Sequence, residues 1–398
     1  MSLFTAVELA PRDPILGLNE QYAADTNPKK VNLGVGVYFD ENGKLPLLQA
    51  VQKAEAALQA TPKARGYLPI DGLAAYDQAV KELVFGKDSE PVTSGRVATI
   101  QALGGTGGLK VGADFLRKLK PGAKVLISNP SWENHRAIFQ NAGFEVGTYS
   151  YYDASRRGID FDGLLADLKA AAEGTVVVLH ACCHNPTGYD LTPAQWDQVI
   201  EVVKARQLTP FLDMAYQGFS QGLAEDGAVV GKFIAAGLDF LVSTSFSKSF
   251  SLYGERVGAL SVVTKSKDEA ARVLSQLKVT IRTNYSNPPT HGAAVVAYVL
   301  STPELRALWE EELGQMRTRI KAMRQKLLDG LKAAGVQQDL SYITTQVGMF
   351  SYSGLSKEQM LRLRSEFGVY GTDSGRICVA ALNENNVGYV AESIAKVL

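Results

Sequence analysis

Short apolar segments alternate with longer amphipathic segments between about residues 47 and 300. Near-continuous apolar strands separated by helices are typical of a mostly parallel sheet that is covered on both faces. The clearest apolar segments are 125–127, 175–179, 210–212, 240–242 and 258–263. We therefore predict an α/β fold with a mostly parallel central sheet, and we expect its ligand site beyond the carboxyl ends of the strands.

A single long helix is predicted after this region. Thr302 and Pro303 are typical of a helix start, apolar residues then recur every three or four positions up to Leu331, and Gly335 is a suitable terminator. A helix over about 302–335 spans roughly 50 Å, enough to bridge two domains. The predicted parts are an N-terminal arm (1–15), a large domain (47–314) and a smaller α/β domain (16–46 together with 315–398).

A tight turn is predicted near the start of the chain. Asn42 and Gly43 lie between apolar segments, and Asn-Gly favours a β-hairpin because both turn positions adopt positive φ. Just before it, Gly34 and Gly36 have two possible roles. They either relieve backbone strain or allow a ligand to approach the backbone closely.

Composition limits the partners of the protein. The chain has 398 residues, 46% hydrophobic and 21% charged, as in an ordinary globular protein. Its 41 basic and 41 acidic residues cancel, so no net field attracts nucleic acid or an anionic membrane. No segment approaches the roughly 18 apolar residues of a membrane span. We expect a cytoplasmic protein, because the three cysteines include an adjacent pair and the first residues lack the features of a signal peptide.

The strongest candidate chemistry lies in the serine-rich sequence that follows the apolar segment 240–242. Lys248 lies among small hydroxyl residues, where partial desolvation would lower its pKa and free its amine as a nucleophile. Ser245, Ser247 and Arg256 would suit a phosphate close to that amine. A lysine imine with a nearby phosphate is the combination that pyridoxal phosphate requires. The alternative is a surface lysine in a flexible loop.

Two polar residues follow the apolar segment 210–212. Asp213 would be buried at a strand end, where a carboxylate must be paired or solvated. It would either pair with an arginine or a helix N-terminus, or hold the ring nitrogen of pyridoxal phosphate protonated. Tyr216 could reach the phenolate oxygen of the same ring, or it is an ordinary tyrosine at the sheet edge.

A glycine-rich sequence, 104–108, leads from an apolar segment into a helix. Glycines that open a helix expose backbone N–H groups to a phosphate, and the helix dipole adds to the attraction. The spacing matches neither a P-loop nor a dinucleotide fingerprint, so we expect a single phosphate monoester, with Gly105 and Thr106 close to it.

The sequence after segment 175–179 allows two interpretations. His180 and His184 flank two cysteines, which could suggest zinc, but turn-forming residues follow at once and no second ligand pair is evident. No metal is therefore expected, and Asn185 is the better candidate as an amide donor directed into the cleft. Trp132, after a proline turn, is either a core residue or a flat surface for an aromatic cofactor.

Two arginines remain as candidates for substrate binding. Arg282 lies in a polar, turn-rich sequence, and Arg376 precedes a short apolar strand. Each alone could form a surface salt bridge. Because a guanidinium binds a carboxylate through two parallel hydrogen bonds, the pair suggests a substrate with one or two carboxylates.

The chain resembles the class I aminotransferases of the pyridoxal-phosphate fold-type I, specifically their aspartate and aromatic amino acid branch. The resemblance runs from end to end of the chain. The sequences that carry it are Gly-Val-Gly-Val-Tyr, Gly-Gly-Thr-Gly, Asn-Pro-Ser-Trp, Cys-Cys-His-Asn-Pro-Thr-Gly, Asp-x-Ala-Tyr-Gln-Gly-Phe, Ser-Phe-Ser-Lys, Glu-Arg-Val-Gly, Tyr-Ser-Asn-Pro-Pro and Ser-Gly-Arg.

The resemblance implies a role for each cofactor residue. Lys248 would bind pyridoxal phosphate covalently and move a proton between the substrate carbon and the cofactor. Asp213, supported by His135, would pair with the pyridine nitrogen, while Asn185 and Tyr216 would contact the phenolate oxygen. The remaining implied contacts are a stack of the ring on Trp132 and phosphate ligands at Gly105, Thr106, Ser245, Arg256 and Tyr67 of the partner subunit.

The resemblance also implies the substrate contacts and a homodimer. Arg376, with Gly36 beside it, would bind the α-carboxylate of amino acids and 2-oxo acids, and Arg282 of the partner subunit would bind a distal carboxylate. Phe39 and Leu45 replace a lysine and a Thr-Pro pair that are typical of aspartate-preferring members, which favours aromatic substrates.

We therefore expect an aromatic amino acid aminotransferase that also accepts aspartate and glutamate and uses 2-oxoglutarate as acceptor. Asn287 and Thr106 are more typical of the aspartate branch, so an aspartate aminotransferase with a narrow dicarboxylate preference is the alternative. The two further alternatives are a related lyase or decarboxylase and a binding module that has lost its chemistry.

Overall fold

The computed structural model describes residues 2–11, 13 and 15–398. The predicted arm over residues 1–15 therefore lies partly outside the described residues. Within the described part of that arm there is no helix or strand, and its apolar residues Leu3, Phe4, Val7 and Leu9 are exposed.

Helices and strands alternate along most of the remaining chain. The helices are α1 (Leu16–Ala24), α2 (Gln49–Ala60), α3 (Ala74–Phe85), α4 (Glu90–Thr93), α5 (Gly104–Leu119), α6 (Glu133–Asn141), α7 (Phe161–Ala170), α8 (Pro193–Ala205), α9 (Leu223–Ala235), α10 (Lys267–Asn284), α11 (His291–Ser301), α12 (Pro303–Ala333), α13 (Tyr342–Thr345), α14 (Lys357–Phe367) and α15 (Val387–Val397). The strands are β1 (Val31–Asn32), β2 (Val97–Leu103), β3 (Lys124–Asn129), β4 (Glu145–Ser150), β5 (Tyr152–Asp153), β6 (Gly158–Ile159), β7 (Val176–His180), β8 (Thr209–Met214), β9 (Phe240–Ser245), β10 (Val257–Val263), β11 (Phe350–Tyr352), β12 (Val369–Tyr370) and β13 (Arg376–Cys378). None of the helices in the described residues has the length and apolar character needed to cross a membrane.

A seven-stranded sheet in the order β2-β10-β9-β8-β7-β3-β4 forms the centre of the molecule. Strand β10 is antiparallel to both of its neighbours, and the other neighbouring pairs are parallel. The five predicted apolar segments correspond to β3, β7, β8, β9 and β10. The prediction of a mostly parallel α/β sheet is therefore confirmed.

Both faces of this sheet are buried, which explains why its strands are almost continuously apolar. In β7, Val176 and Val178 pack into one hydrophobic core, whereas Val177 and Leu179 pack into the other. Successive side chains of a strand point to opposite faces, so a strand covered on both sides needs apolar residues at every position. Charged side chains such as Lys124 and Asp213 accordingly lie near the strand ends, whereas uncharged polar residues within the strands can pair with one another, as Thr99 Oγ1 and Ser261 Oγ do at 2.8 Å.

The long helix α12 has 31 residues, Pro303–Ala333, so its predicted bounds are confirmed to within two residues at each end. Thr302 precedes it, and Gly335 follows with a positive φ of 86° that is easy only for glycine. Its buried side chains include Trp309, Leu313 and Met316 near the start and Leu327, Leu328 and Leu331 near the end. The helix thus packs against the rest of the chain along its whole length.

A second, smaller group of strands lies near the C-terminal third of the chain. Strand β1 pairs with β12 in parallel, with Val31 opposite Val369. Strand β11 pairs with β13 in antiparallel orientation, with Phe350 opposite Cys378 and Tyr352 opposite Arg376. The start of the chain and its C-terminal part therefore meet in one structural region.

The predicted hairpin at Asn42-Gly43 is wrong. Gly43 has a positive φ of 68°, and the N–H of Asp40 donates to the carbonyl of Lys44 at 2.7 Å, so a tight turn is present. No strand flanks it, because the backbone just before the turn bonds elsewhere. The N–H of Phe39 donates to the carbonyl of Ala380 at 3.1 Å, and Arg319 donates to the carbonyl of Phe39 at 2.8 Å.

Candidate active site

A cavity of about 500 Å³ opens at the carboxyl ends of the parallel strands. The predicted site residues that line it are Gly36, Gly105, Thr106, Trp132, Asn185, Asp213, Tyr216, Ser245, Lys248, Arg256 and Arg376. They come from segments far apart in the sequence, and parallel strands bring their carboxyl ends to the same edge. The structure therefore assembles most of the predicted site in one place.

Lys248 follows β9 and lies partly buried in this cavity. Burial lowers the pKa of its amine from the ordinary 10.5 to about 8; the nearby Asp213 opposes this shift and Arg256 adds to it. Its Nζ lies 5.1 Å from the centre of the Tyr216 ring. With a pKa near 8, about one amine in ten is neutral at pH 7, compared with less than about one in a thousand for an ordinary lysine. Lys248 is thus suited to act as a nucleophile and a base.

Asp213 lies on β8 near its carboxyl end, next to β9, and is buried. Burial alone would raise the pKa of its carboxyl, but the hydrogen bond and charge of His135, with smaller effects of His180 and Lys248, hold the pKa below its usual value. His135 Nε2 lies 2.8 Å from Asp213 Oδ2, and Ser131 Oγ lies 2.9 Å from His135 Nδ1. The imidazole of His135 donates from Nε2 to Asp213, and the hydroxyl of Ser131, which can both donate and accept, satisfies Nδ1. Asp213 therefore remains an anion at neutral pH.

Arg376 is almost completely buried, with 1% of its surface exposed. Its Nη1 donates to Asn185 Oδ1 at 3.1 Å and its Nη2 donates to the carbonyl of Gly34 at 2.7 Å, and the guanidinium lies 4.4 Å from the ring centre of Phe350. Among the described residues no carboxylate pairs with it, and Nε has no hydrogen-bond partner. A buried guanidinium with free N–H groups is suited to an anion that is not part of the chain.

A candidate anion site lies at the N-terminus of α5. The backbone N–H of Gly104 donates to the carbonyl of Arg256 at 3.0 Å, and a Cβ at Gly104 would lie only 2.5 Å from Arg256 Nη2. A Cβ at Gly258 would lie 2.3 Å from the carbonyl carbon of Gly104. These two glycines therefore let the Arg256 guanidinium approach the helix N-terminus, beside Gly105 and Ser245, where the helix dipole also favours negative charge.

The remaining predicted residues differ in their placement. Trp132 lies at the cavity wall, and its ring meets the His135 ring edge-on with centres 5.2 Å apart. Tyr216 meets the Phe350 ring edge-on at 5.8 Å, and burial raises the pKa of its hydroxyl. Tyr67 is 96% exposed, and Arg282 is exposed on α10. Neither of these two residues lines the cavity of its own chain.

His184 takes part in a buried network and not in a ligand set with the two adjacent cysteines. Its Nε2 lies 2.9 Å from Ser128 Oγ and its Nδ1 lies 2.8 Å from Thr187 Oγ1, while Tyr151 stacks on its ring at 3.9 Å. Since both ring nitrogens are engaged, His184 has no free atom for a metal. His180 lies between His135 and His184, at 5.0 and 4.2 Å between ring centres.

Several residues of the cavity wall were missed by sequence reasoning. Asp13, Ile15 and Leu16, at the start of the chain, line the cavity, as do Leu109 and Phe350. The first three lie far from every motif in the sequence, and the other two are apolar residues in otherwise ordinary elements. No local signal distinguishes them from core residues.

Comparison with known proteins identifies the class of enzyme that this site belongs to. The family model for "Aminotransferase class I and II" matches residues 28–394. The chain belongs to the class I and II aminotransferase family. It is a pyridoxal-phosphate-dependent transaminase.

Several members of the family are similar to this chain over their whole length. The aspartate aminotransferase of Pseudomonas aeruginosa is 61% identical over 398 residues, and the aromatic-amino-acid aminotransferase of Escherichia coli is 53% identical over 397, with 100% of both chains covered in each case. Among solved structures, the aromatic-amino-acid aminotransferase of Burkholderia pseudomallei, covalently bound to pyridoxal phosphate, has a TM-score of 0.98 and 66% identity, with 100% of both chains covered.

The donor set in the cavity fits pyridoxal phosphate. The cofactor has an aldehyde, a ring nitrogen that works best when protonated, and a phosphate. Opposite these, the cavity offers the amine of Lys248, the anionic carboxylate of Asp213, and Arg256 at the α5 N-terminus, which forms no ion pair with a carboxylate among the described residues. Each of the three reactive or charged parts of the cofactor thus has a counterpart of the required chemistry.

Proposed function

We propose that the protein transfers amino groups from aromatic amino acids, and also from aspartate and glutamate, to 2-oxoglutarate. The observation that carries this proposal is the buried, unpaired Arg376 in the same cavity as Lys248 and Asp213. A guanidinium in that place would hold the carboxylate that all amino acids and 2-oxo acids share. The relatives named for aromatic and aspartate transamination support both substrate classes.

The apolar part of the cavity wall favours aromatic side chains. It is formed by Ile15, Leu16, Leu109, Trp132 and Phe350. Burying an aromatic ring against such a surface contributes on the order of 2–3 kcal/mol. This wall supports the aromatic preference that Phe39 and Leu45 suggest in the sequence.

We propose that the residues of the chain act on the cofactor as follows. When bound, pyridoxal phosphate withdraws electrons from the bond broken at the substrate α-carbon. Asp213, held by His135, would keep a proton on the ring nitrogen, and Asn185 and Tyr216 would donate to the phenolate oxygen. Trp132 would stack on the ring. The residues proposed to bind the phosphate are Gly105, Thr106, Ser245 and Arg256.

Lys248 would carry the proton transfer. Its amine, displaced from the cofactor by the amino group of the incoming substrate, would accept the proton from the substrate α-carbon and deliver it to C4′ of the cofactor. Its lowered pKa supports this role, because the free amine is the form that accepts a proton. Arg376, with Gly36 beside it, would hold the α-carboxylate so that the α-proton faces Lys248.

We propose that the active form is a cytoplasmic homodimer in which each site is completed by the other chain. Tyr67 and Arg282 carry functional groups yet lie exposed on a single chain. Tyr67 of the partner subunit would bind the phosphate, and Arg282 of the partner subunit would bind the distal carboxylate of dicarboxylic substrates. The proposed domains are the arm (1–15), the small domain (16–46 with 315–398) and the large domain (47–314) that holds the cofactor.

An aspartate aminotransferase with a narrow preference is the second candidate. Asn287, which is typical of that branch, donates to the carbonyl of Leu68 at 3.0 Å, next to Tyr67. This contact ties the segment of Arg282 to the segment of Tyr67. It would help to present both residues to a neighbouring site.

A half-reaction decides between these candidates. We expect that phenylalanine and aspartate, each mixed separately with the holoenzyme in the absence of an oxo acid, both convert the cofactor to its aminated form. The change is followed in the visible and near-ultraviolet spectrum. Conversion by aspartate alone would support the narrow candidate, and no conversion by either amino acid would reject transamination of both.

Replacing Arg282 with leucine separates the two substrate classes. We expect kcat/KM for aspartate to fall by about 100-fold or more, because a charged hydrogen-bonded pair with the distal carboxylate is lost, while the value for phenylalanine changes by less than about threefold. Arg272→Leu, on the exposed face of the same helix α10, is the matched control. Equal losses for both substrates would mean that Arg282 supports the structure and not substrate binding.

A further inference from the structure

Arg324 is a buried charge without a buried counter-charge. It lies on α12 with 2% of its surface exposed, and burial lowers the pKa of its guanidinium to about 10. Its titratable neighbours are Cys183, Cys378 and Tyr189, and no carboxylate among the described residues pairs with it. Buried charges are usually paired, because removing them from water is costly. A buried, unpaired arginine that is not in the cavity therefore requires another explanation.

The guanidinium of Arg324 holds one segment of backbone. Nη1 donates to the carbonyl of Ile343 at 3.0 Å, and Nη2 donates to the carbonyls of Gly348 and Phe350 at 2.8 and 2.6 Å. Three carbonyls converge on one planar fork, a geometry that suits arginine and not lysine. Arg324 thus fixes the turn that leads into β11.

This turn also packs against the loop that carries Asn185. Gly348 has a positive φ of 78°, and a Cβ there would lie 2.6 Å from the Cβ of Cys183. The N–H of Val347 donates to the carbonyl of Gly188 at 2.7 Å. The segment therefore has little freedom to move sideways, and the carbonyl of Phe350 at its end is fixed by Arg324.

The Phe350 ring lies under the residues of the candidate site. The Arg376 guanidinium stacks over it at 4.4 Å, and the Tyr216 ring meets it edge-on at 5.8 Å. A Cβ at Gly36 would lie 2.8 Å from Phe350 Cζ, so the Gly36 backbone also rests close to this ring. Any shift of Phe350 would displace the surface on which Arg376 rests.

We propose that Arg324 is a positioning residue for substrate binding. By holding the carbonyl of Phe350, it fixes the position of the Phe350 ring beneath Arg376. The ring in turn fixes the position of the Arg376 guanidinium, which receives the α-carboxylate. This inference rests on the proposed role of Arg376. Arg324 itself touches neither the cavity nor a substrate in it. Its effect on the reaction is therefore transmitted through the Phe350 backbone and ring.

The test uses the holoenzyme and the half-reaction with phenylalanine and aspartate. In Arg324→Met the apparent dissociation constants of both amino acids should rise by about tenfold, because both share the α-carboxylate, whereas the limiting rate should fall less than about threefold. Arg324→Lys should give an intermediate value, since an ammonium reaches fewer of the three carbonyls. The visible spectrum of the bound cofactor should stay unchanged in both variants.

Arg317→Met is the matched control. Arg317 lies on the same helix and also donates to a backbone carbonyl, that of Gly218 at 2.7 Å, but it forms no hydrogen bond with the Phe350 segment. Its amino acid affinities should match those of the wild-type protein. A loss of the same size and kind as in Arg324→Met would indicate a general effect of the helix and would overturn the proposal.

A double-mutant cycle with Phe350→Leu tests the route of transmission. Phe350→Leu should raise the dissociation constants of the same two amino acids. The dissociation constants of the double variant should not exceed those of whichever single variant binds the amino acids less tightly, because both changes act on one contact. Additive losses, or unchanged binding in Arg324→Met, would overturn the proposal. If Arg324→Met fails to fold, Arg324→Lys takes its place in the cycle.

Failure of the proposed function would be recognised separately. If the wild-type protein reacts with neither amino acid, transamination is rejected, whatever the variants do. Binding of 2-oxoglutarate, measured by calorimetry, still compares wild type with the Arg324 variants in that case. A weaker affinity in Arg324→Met but not in Arg317→Met would then uphold the positioning role, and equal affinities would reject it.

Discussion

Replacing Lys248 with alanine should lower kcat by about 10⁴-fold or more, the largest effect expected of any single change in this chain. The substitution removes both the nucleophile that binds the cofactor and the base that moves the α-proton, and a positioned base alone contributes 10²–10⁴-fold. Pyridoxal phosphate should still bind, because Asp213 and Arg256 remain. Turnover is measured with phenylalanine and 2-oxoglutarate, and cofactor content is measured by absorbance.

The control for this experiment is Lys265→Ala. Lys265 is exposed, lies two residues after the end of β10, and pairs with Asp239 at 3.2 Å, at the edge of the sheet where the parallel strands begin. Its removal should leave kcat unchanged. Near-normal turnover in Lys248→Ala would reject the assignment of Lys248, and loss of turnover together with loss of bound cofactor would mean that the substitution acts on binding and not on proton transfer.

Replacing Asp213 with asparagine should lower kcat by about 10³-fold, the second largest effect. The amide has nearly the same shape but cannot carry the charge that keeps the ring nitrogen protonated, and removing one such electrostatic contact costs 10²–10³-fold or more. The pKa of Asp213 is held below its usual value, so the wild-type side chain is charged across the whole pH range of the assay. The loss in Asp213→Asn should therefore not recover at higher or lower pH between about 6 and 9.

Asp239→Asn, the other half of the exposed Lys265–Asp239 pair, is the matched control. It makes the same chemical change at the far edge of the sheet, so kcat should remain at the wild-type value. A far-ultraviolet circular dichroism spectrum that matches the wild-type spectrum would show that Asp213→Asn is folded, so that the loss of kcat reflects the missing charge. If Asp213→Asn keeps more than about a tenth of wild-type activity, the ring nitrogen does not depend on this carboxylate.

The central sheet and most of the candidate site could be predicted from the sequence because their signals are local. Asp213 follows Phe211 and Leu212 directly, so burial of the strand already places the carboxylate at the edge of the sheet. Lys248 likewise follows a strand with six buried residues. Ligands bind beyond the carboxyl ends of parallel strands, so in both cases the place of the residue after an apolar segment predicts that it lies in the ligand site.

The parts that could not be predicted depend on contacts between distant segments. Nothing in the sequence distinguishes Arg324 from Arg317 or Arg319 on α12, because its burial is decided by the packing of the whole helix. The turn at Asn42-Gly43 is present, but the two paired strands predicted on either side of it are not. The N–H of Phe39 instead donates to the carbonyl of Ala380, which lies 341 positions later. Local preference specified the turn but not the partners of the backbone around it.

The roles of Tyr67 and Arg282 are difficult to predict from the sequence for a different reason. Both are exposed in a single chain, and the functions proposed for them require a second copy. The sequence does not indicate whether the groups that such residues contact belong to the same chain or to a second copy of it. The substrate dependence of Arg282→Leu tests the role proposed for Arg282.

The walls of the cavity have a consequence for the synthesis of the protein. The residues that form these walls range from Asp13 to Arg376. The Gly34 carbonyl accepts a hydrogen bond from Arg376, a residue that is synthesised 342 positions later. A chain still on the ribosome can fold much of its central sheet, but the cavity cannot be completed until Arg376 has left the exit tunnel. Chains that terminate before Arg376 should therefore fold part of the sheet and leave the cavity incomplete, and we expect them to show no turnover.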